Sequence, residues 1–502
     1  MQRVTEAHLR SIGAEPGSED DRLRVSDVGK LARRTRRRIV GAARADERPT
    51  FLKLLRAHLG PLDDLVVVEE SWPGYEQVNV QVALDYWLGR EGRNHELVGF
   101  ANYRHDKFGL ADLMRPQHHG YGPEPGNVAW VNLASGPEGQ VRRSVPAGLY
   151  LIDDAETRSA ILVLMGDPDM GESGYSMHVV ADQPGSAALI AADIRTLAVE
   201  HNVFRGQVIS FGREMFGERE TVLQFHTRPA MTADDVILPA ETLAMIRRQV
   251  VGVAEHREQL LAAHQHLKRG LLLYGPPGVG KTHTVRYLIS QLLGVTIVEL
   301  TGDSLRLIGT ACSVARTLQP AMIVVEDVDL IAEDRGMHPG HHPLLFQLLN
   351  EMDGLAEDAD VVFLLTTNRA DVLEPALAAR PGRVDQAVSL ELPDAAARRR
   401  LFDLYRGALH VDESNLEAVI ERTEQVTASF LKELLRRAAL IAADGSAGEP
   451  LAVSAEQLDA ALDELLDTRN AMTRVLLGGQ RSVLSAARAG LSGLPNPGLV
   501  EP

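Results

Sequence analysis

The sequence holds one cysteine, Cys312, in 502 residues. A single thiol excludes an internal disulfide and a thiolate metal cluster, and it reads as a small buried apolar side chain. Aromatic residues make up only 5%, and no uninterrupted apolar run approaches the ~20 residues that a membrane-spanning helix requires. The first thirty residues carry scattered charge and no apolar leader core, so with no membrane span the expected location is cytoplasmic. An excess of positive charge is also absent. Sixty-nine acidic residues against 52 basic ones give a net charge of −17, which disfavours a broad electrostatic grip on nucleic acid. What is present is 45% hydrophobic and 24% charged residues, the balance of a globular protein, over a length that calls for two or three domains.

The texture changes along the chain. Residues 1–64 are charged and helix-favouring, with a dense run at Arg33, Arg34, Arg36, Arg37 and Arg38. This run reads as the solvated side of a helix in preference to a contact with nucleic acid or an acidic partner. Residues 65–230 read as an α+β domain. Val66-Val67-Val68, Val78-Asn79-Val80-Gln81-Val82, Leu149-Tyr150-Leu151-Ile152 and Ala160-Ile161-Leu162-Val163-Leu164 suggest strands separated by Pro and Gly turns. Apolar spacing predicts one helix from about Ser186 to Glu200. The strip with His118, His119, Gly120, Tyr121 and Gly122 completes no metal set and reads as an exposed loop. After a helix predicted over 240–266, residues 231–393 alternate strand, loop and helix, the signature of a parallel sheet flanked by helices. Residues 394–470 turn helical, with Asp394 as the expected N-cap, and 471–502 read as a loose tail.

The chemistry concentrates between residues 270 and 390. Gly270-Leu271-Leu272-Leu273-Tyr274 is a short apolar strand running into Gly275-Pro276-Pro277-Gly278-Val279-Gly280-Lys281-Thr282. That is a complete G-x-x-x-x-G-K-T phosphate loop in its strand-to-helix setting. Backbone N–H groups and a helix start converge on phosphate oxygens, Lys281 is placed to neutralise the β and γ phosphates, and the Thr282 hydroxyl suits magnesium. His283 follows in the same turn. ATP and Mg2+ are therefore the expected ligands. A second strand, Met322-Ile323-Val324-Val325, ends in Glu326-Asp327-Val328-Asp329. One acid there is expected to hold the metal through water, and its neighbour to polarise the attacking water. A third strand, Val361-Val362-Phe363-Leu364-Leu365, runs into Thr366-Thr367-Asn368, whose amide suits orienting water opposite the γ-phosphate. Arg380 and Arg383, around Pro381-Gly382, suit arginine fingers reaching a neighbouring subunit's γ-phosphate.

Together these residues resemble the AAA ATPases over about residues 235–470, and Asn350-Glu351-Met352-Asp353-Gly354 also reads like that family. The resemblance implies a P-loop α/β core with a C-terminal helical lid. It also implies a ring, usually of six subunits, with ATP shared between neighbours. By position Glu326 takes the metal role and Asp327 the water-polarising role. The Glu-Asp order is swapped relative to the family's usual Asp-Glu and resembles the mitochondrial Rieske-protein translocase. Leu307-Ile308-Gly309 stands where the family usually writes an aromatic-aliphatic-glycine pore loop, and Thr427-Ala428-Ser429-Phe430 where it commonly shows Ser-Gly-Ala. No H-E-x-x-H motif follows, which sets the chain apart from the membrane-bound protease variant. The expected function is protein remodelling, with a client or adaptor bound by the N-terminal domain and no nucleic acid. The alternatives are a nucleotide-gated scaffold with weak hydrolysis and, behind it, a nucleic-acid-remodelling ATPase.

Overall fold

The computed structural model describes residues 50–101, 108–116, 123–154, 156–166, 174–213, 221–329, 344–356, 358–369, 384–445 and 451–467. Arg33 to Arg38, the His118–His119 pair, Arg380, Arg383 and the C-terminal tail lie outside them.

A six-stranded antiparallel sheet opens the described chain, in the order β1 (Val68–Trp72), β8 (Tyr175–Ala181), β7 (Arg158–Met165), β6 (Ala147–Asp153), β2 (Asn94–Ala101) and β3 (Glu124–Gly126). Side chains alternate between its two faces, as the period of a strand demands. Tyr150, Ile152, Ile161, Val163, Met177 and Val179 pack under α2 (Gln77–Leu88) and α4 (Ser186–Glu200). Leu149, Leu151, Ala160, Leu162 and Leu164 face α1 (Phe51–Leu59) and the short α3 (Leu110–Leu113). Because α1 packs on this sheet, it belongs to the same unit as the strands beyond residue 65.

Val78-Asn79-Val80-Gln81-Val82 is not a strand but the first turns of α2. The apparent alternation comes from a helix buried on nearly every side. Val80, Ala83, Leu84, Trp87 and Leu88 face the six-stranded sheet, while Val78 faces the next unit's core. Hydrogen bonds satisfy the intervening polar groups: Gln81 Nε2 donates to Asp85 at 2.9 Å, and Val145 N to Gln81 Oε1 at 2.9 Å.

The second sheet has seven strands, in the order β10 (Thr221–His226), β9 (Val208–Arg213), β12 (Thr296–Leu300), β13 (Ala321–Val325), β14 (Val361–Thr367), β11 (Arg269–Tyr274) and β15 (Gln386–Ser389). All are parallel except β10. Alternation again divides two cores. Leu271, Leu273, Ile297, Met322, Val324, Val362 and Leu364 face one side with α5 (Ala240–Arg247) and α6 (Lys281–Gln291). Leu272, Val298, Ile323, Val325, Phe363 and Leu365 face the other with α7 (Ile308–Thr317) and α8 (Leu344–Asp353). Cys312 lies fully buried in that second core, where burial pushes its thiol up to about 12.

The β9–β10 hairpin differs from expectation. The sequence places it with the preceding α+β domain, yet Ile297, Val298 and Glu299 of β12 pair with Val208, Ile209 and Ser210 of β9. The hairpin thus extends the parallel sheet, because β9's inward apolar residues match both cores of that sheet. The helix expected over 240–266 is interrupted by a π turn at Arg248–Gly252. Helices α9 (Ala395–Arg406), α10 (Leu416–Arg422), α11 (Ala428–Gly445) and α12 (Ala455–Leu466) then form a separate helical cluster with its own core. Asp394 does cap α9, accepting the N–H of Ala397 at 2.7 Å. Among the described residues no helix is long and apolar enough to cross a membrane.

Candidate nucleotide site

Strand order builds the site. β14 lies between β13 and β11, and all three run parallel, so their C-terminal ends open on the same edge. The phosphate loop leaves β11, the acidic pair leaves β13, and Asn368 leaves the strand between them. Such strand ends are where open α/β sheets bind ligands.

The loop's shape depends on two glycines. At Gly275 a Cβ would stand 2.2 Å from the carbonyl oxygen of Leu390, so the loop can leave the sheet this closely only without a side chain. Gly280, at φ +102°, turns the chain into α6 and presents that helix's N-terminus to the loop. Val279 is buried behind the loop, whereas Pro276 and Pro277 face outward.

Lys281 is buried, and its Nζ donates to the carbonyls of Gly275 at 2.8 Å and Pro276 at 2.9 Å and to Asn368 Oδ1 at 2.8 Å. Burial lowers its ammonium's pKa, and the charges of Asp327 and Asp329 oppose that shift. Asn368 Nδ2 donates to Asp327 Oδ1 at 3.1 Å, so one amide bridges the lysine and the acid. Asp327 adopts φ +52°, and its N–H donates to Thr366 Oγ1 at 3.2 Å. Beside them the side chains of Thr282 and Glu326 share a hydrogen bond. Burial raises the Glu326 carboxyl; the Thr282 hydrogen bond lowers it, and the neighbouring charges of Glu299 and Asp327 raise it further.

Three partners were given no role from the sequence, and Glu299 was not singled out there at all. Asp329, buried, accepts from Thr367 Oγ1 at 2.8 Å and from Asn368 N at 3.3 Å. Glu299, raised by burial, is the one charged residue of β12, Thr-Ile-Val-Glu-Leu. A charge near the C-terminal end of an otherwise apolar strand was the signal available for it. Ser429, at the start of α11, donates its N–H to the carbonyl of Gly278 at 3.2 Å, so the helical cluster touches the phosphate loop directly. His283 points away from the loop: its Nε2 lies 2.8 Å from the carbonyl oxygen of Asp235 and holds the segment before α5.

Leu307-Ile308-Gly309 closes a 3-10 turn and opens α7. Ile308 is fully buried and Leu307 packs on the same core. These residues are integrated in the domain, not held out on a loop.

The sequence model of the ATPase family associated with various cellular activities (AAA) matches residues 271–392. The chain carries an AAA ATPase domain. Curated relatives agree. The chain is 26% identical over 385 residues to the ATP-dependent zinc metalloprotease FTSH 1, chloroplastic, of Oryza sativa subsp. japonica, covering 70% of this chain and 55% of that protein. It is 28% identical over 271 residues to FtsH of Bacillus subtilis, covering 48% and 42%, and 31% identical over 304 residues to FtsH of Cutibacterium acnes, covering 57% and 40%. The chain thus spans about half the length of the curated relatives it matches. The AAA domain accounts for the phosphate loop, the acidic strand end and Asn368 in one contiguous span.

Proposed function

We propose that the protein binds and hydrolyses ATP in its AAA domain and uses the cycle to remodel proteins. The observation that carries this reading is the bonded line Lys281–Asn368–Asp327 at the mouth of the phosphate loop. Lys281 takes the β and γ phosphates, exchanging carbonyl partners for phosphate oxygens. Asp327 withdraws a proton from the attacking water, and the Asn368 amide orients that water. The hydroxyl and carboxylate oxygens of Thr282 and Glu326 fit magnesium, which favours few protein ligands completed by phosphates and water. When bound, the ion neutralises the charge developing on the phosphates. Arg380 and Arg383 are proposed to act across a subunit boundary in a homo-oligomer, most simply a hexamer. The six-stranded unit is proposed to select a client or adaptor.

Lys281→Ala is expected to cost about 2–5 kcal/mol of nucleotide affinity, the penalty for leaving a buried charge site unpartnered. Asp327→Asn is expected to retain binding and lose roughly 100-fold or more in turnover. An Asp327→Asn assembly held with ATP, recovered with a discrete protein missing from the Lys281→Ala control, tests remodelling. Recovery of an empty assembly rejects it.

A second reading, a nucleotide-gated scaffold, draws on one observation: Leu307 and Ile308 pack into the core instead of lining a pore. Turnover near zero under saturating ATP, with binding intact, would favour it.

A further inference from the structure

We infer that Asp329 is a positioning residue for ATP hydrolysis, acting through Thr367 on Asn368. The inference rests on the hydrolytic reading above. Asp329 stands two residues beyond Asp327, past the fully buried Val328, whose N–H donates to the Thr366 carbonyl at 2.9 Å. That backbone bond aims the Asp329 side chain at the end of β14. There a single oxygen, Oδ1, takes both the Thr367 hydroxyl at 2.8 Å and the Asn368 N–H at 3.3 Å. Thr367 is fully buried, and its Oγ1 also accepts the N–H of Arg369 at 2.9 Å. The turn carrying Asn368 is thus held on both sides of that residue.

The consequence lies in the amide. Asn368 is exposed, so its amide is oriented by hydrogen bonds more than by burial. Its Oδ1 must meet Lys281 and its Nδ2 must meet Asp327, and those two groups belong to different strand ends. A turn free to rotate would satisfy one of them and lose the other. Asp329 shares no hydrogen bond with Lys281 and reaches that ammonium only through its charge, so removing it is expected to leave ATP binding largely in place while blurring the placement of water. Misplacement of a catalytic group by an ångström costs on the order of 100-fold in rate.

The test is steady-state ATP hydrolysis by the full chain with Mg2+, read as kcat and KM separately, for Asp329→Ala, Thr367→Val, Thr367→Ser, Asn368→Ala and the Asp329→Ala/Asn368→Ala double variant. Asp329→Ala and Thr367→Val are expected to lower kcat about 10-fold or more with KM within about twofold, and Thr367→Ser to restore it. In the Asn368→Ala background, Asp329→Ala is expected to cost no more than about twofold further, because both changes disable one device. Thr367→Val keeps the side-chain volume and carries the test if Asp329→Ala fails to fold. Equal losses in both backgrounds, or a Thr367→Val variant at parental kcat, overturn the assignment while leaving hydrolysis standing. A parental chain without turnover overturns both.

Discussion

At the scale of single residues, the site is a set of short, direct contacts, and most were legible because the phosphate loop is contiguous in sequence. Lys281, Glu326, Asp327 and Asn368 announce themselves by type and by position at strand ends. Glu299 and Asp329 do not, because a lone acid in or after a strand has many ordinary explanations until the neighbouring strand is known. Asp327 illustrates a constraint that only coordinates reveal: at φ +52° it occupies the left-handed region that Asp and Asn tolerate and branched residues do not. Asn at this position therefore preserves the backbone, which is why Asp327→Asn is the change chosen to test hydrolysis. Gly275 is stricter. Gly275→Ala places a carbon 2.2 Å from the Leu390 carbonyl, so the loop must shift away from β15's exit. A loss of nucleotide affinity of about 10-fold or more is expected by fluorescence titration, with unchanged affinity refuting the role given to that close approach.

At the scale of elements, Arg228 draws together pieces that sequence reading keeps apart. Its guanidinium donates to the carbonyls of Ile289 at 2.8 Å, Leu292 at 3.0 Å, Gly206 at 2.9 Å and Val295 at 2.9 Å. It therefore closes the C-terminal end of α6, where a cation suits the helix dipole, and fastens the turn before β9. Arg228→Ala strands several carbonyls at once and is expected to destabilise the domain by about 2–4 kcal/mol, measured by denaturant unfolding. A change within error would mean that water replaces the guanidinium without cost. Strands β6 and β7 were readable as short continuous apolar runs buried on both faces, and helices α4 and α9 to α12 from helical spacing or a clear cap. Helix α2 was not: buried against a sheet on one side and another unit on the other, it shows no amphipathic stripe, and its β-branched valines favour the wrong period.

At the scale of the whole molecule, the six-stranded unit and the AAA domain meet through specific contacts. Tyr75 meets the Phe211 ring edge-on at 6.4 Å, and Asn79 Oδ1 accepts the Val203 N–H at 2.8 Å. Asn79 and Asn202 both donate to Glu76 Oε2, at 2.6 and 3.3 Å. Burial raises the Glu76 carboxyl, the two hydrogen bonds opposing it. A raised carboxyl contributes stability below the ordinary carboxylate range and loses it as the pH climbs through the raised value. Glu76→Gln is accordingly expected to melt no lower than the parent at pH 8 and to show a weaker fall in melting temperature from about pH 5 to 8. A variant that melts lower at pH 8 would show that the ionised form is the preferred one. The junction also decides where the chain can be cut. The hairpin that finishes the parallel sheet lies upstream of the phosphate loop by some fifty residues, next to the six-stranded unit in sequence. A gene fusion cut between residues 203 and 226 would leave β12 without its β9 partner, so a chimera that keeps this sheet whole has to be spliced before Phe204.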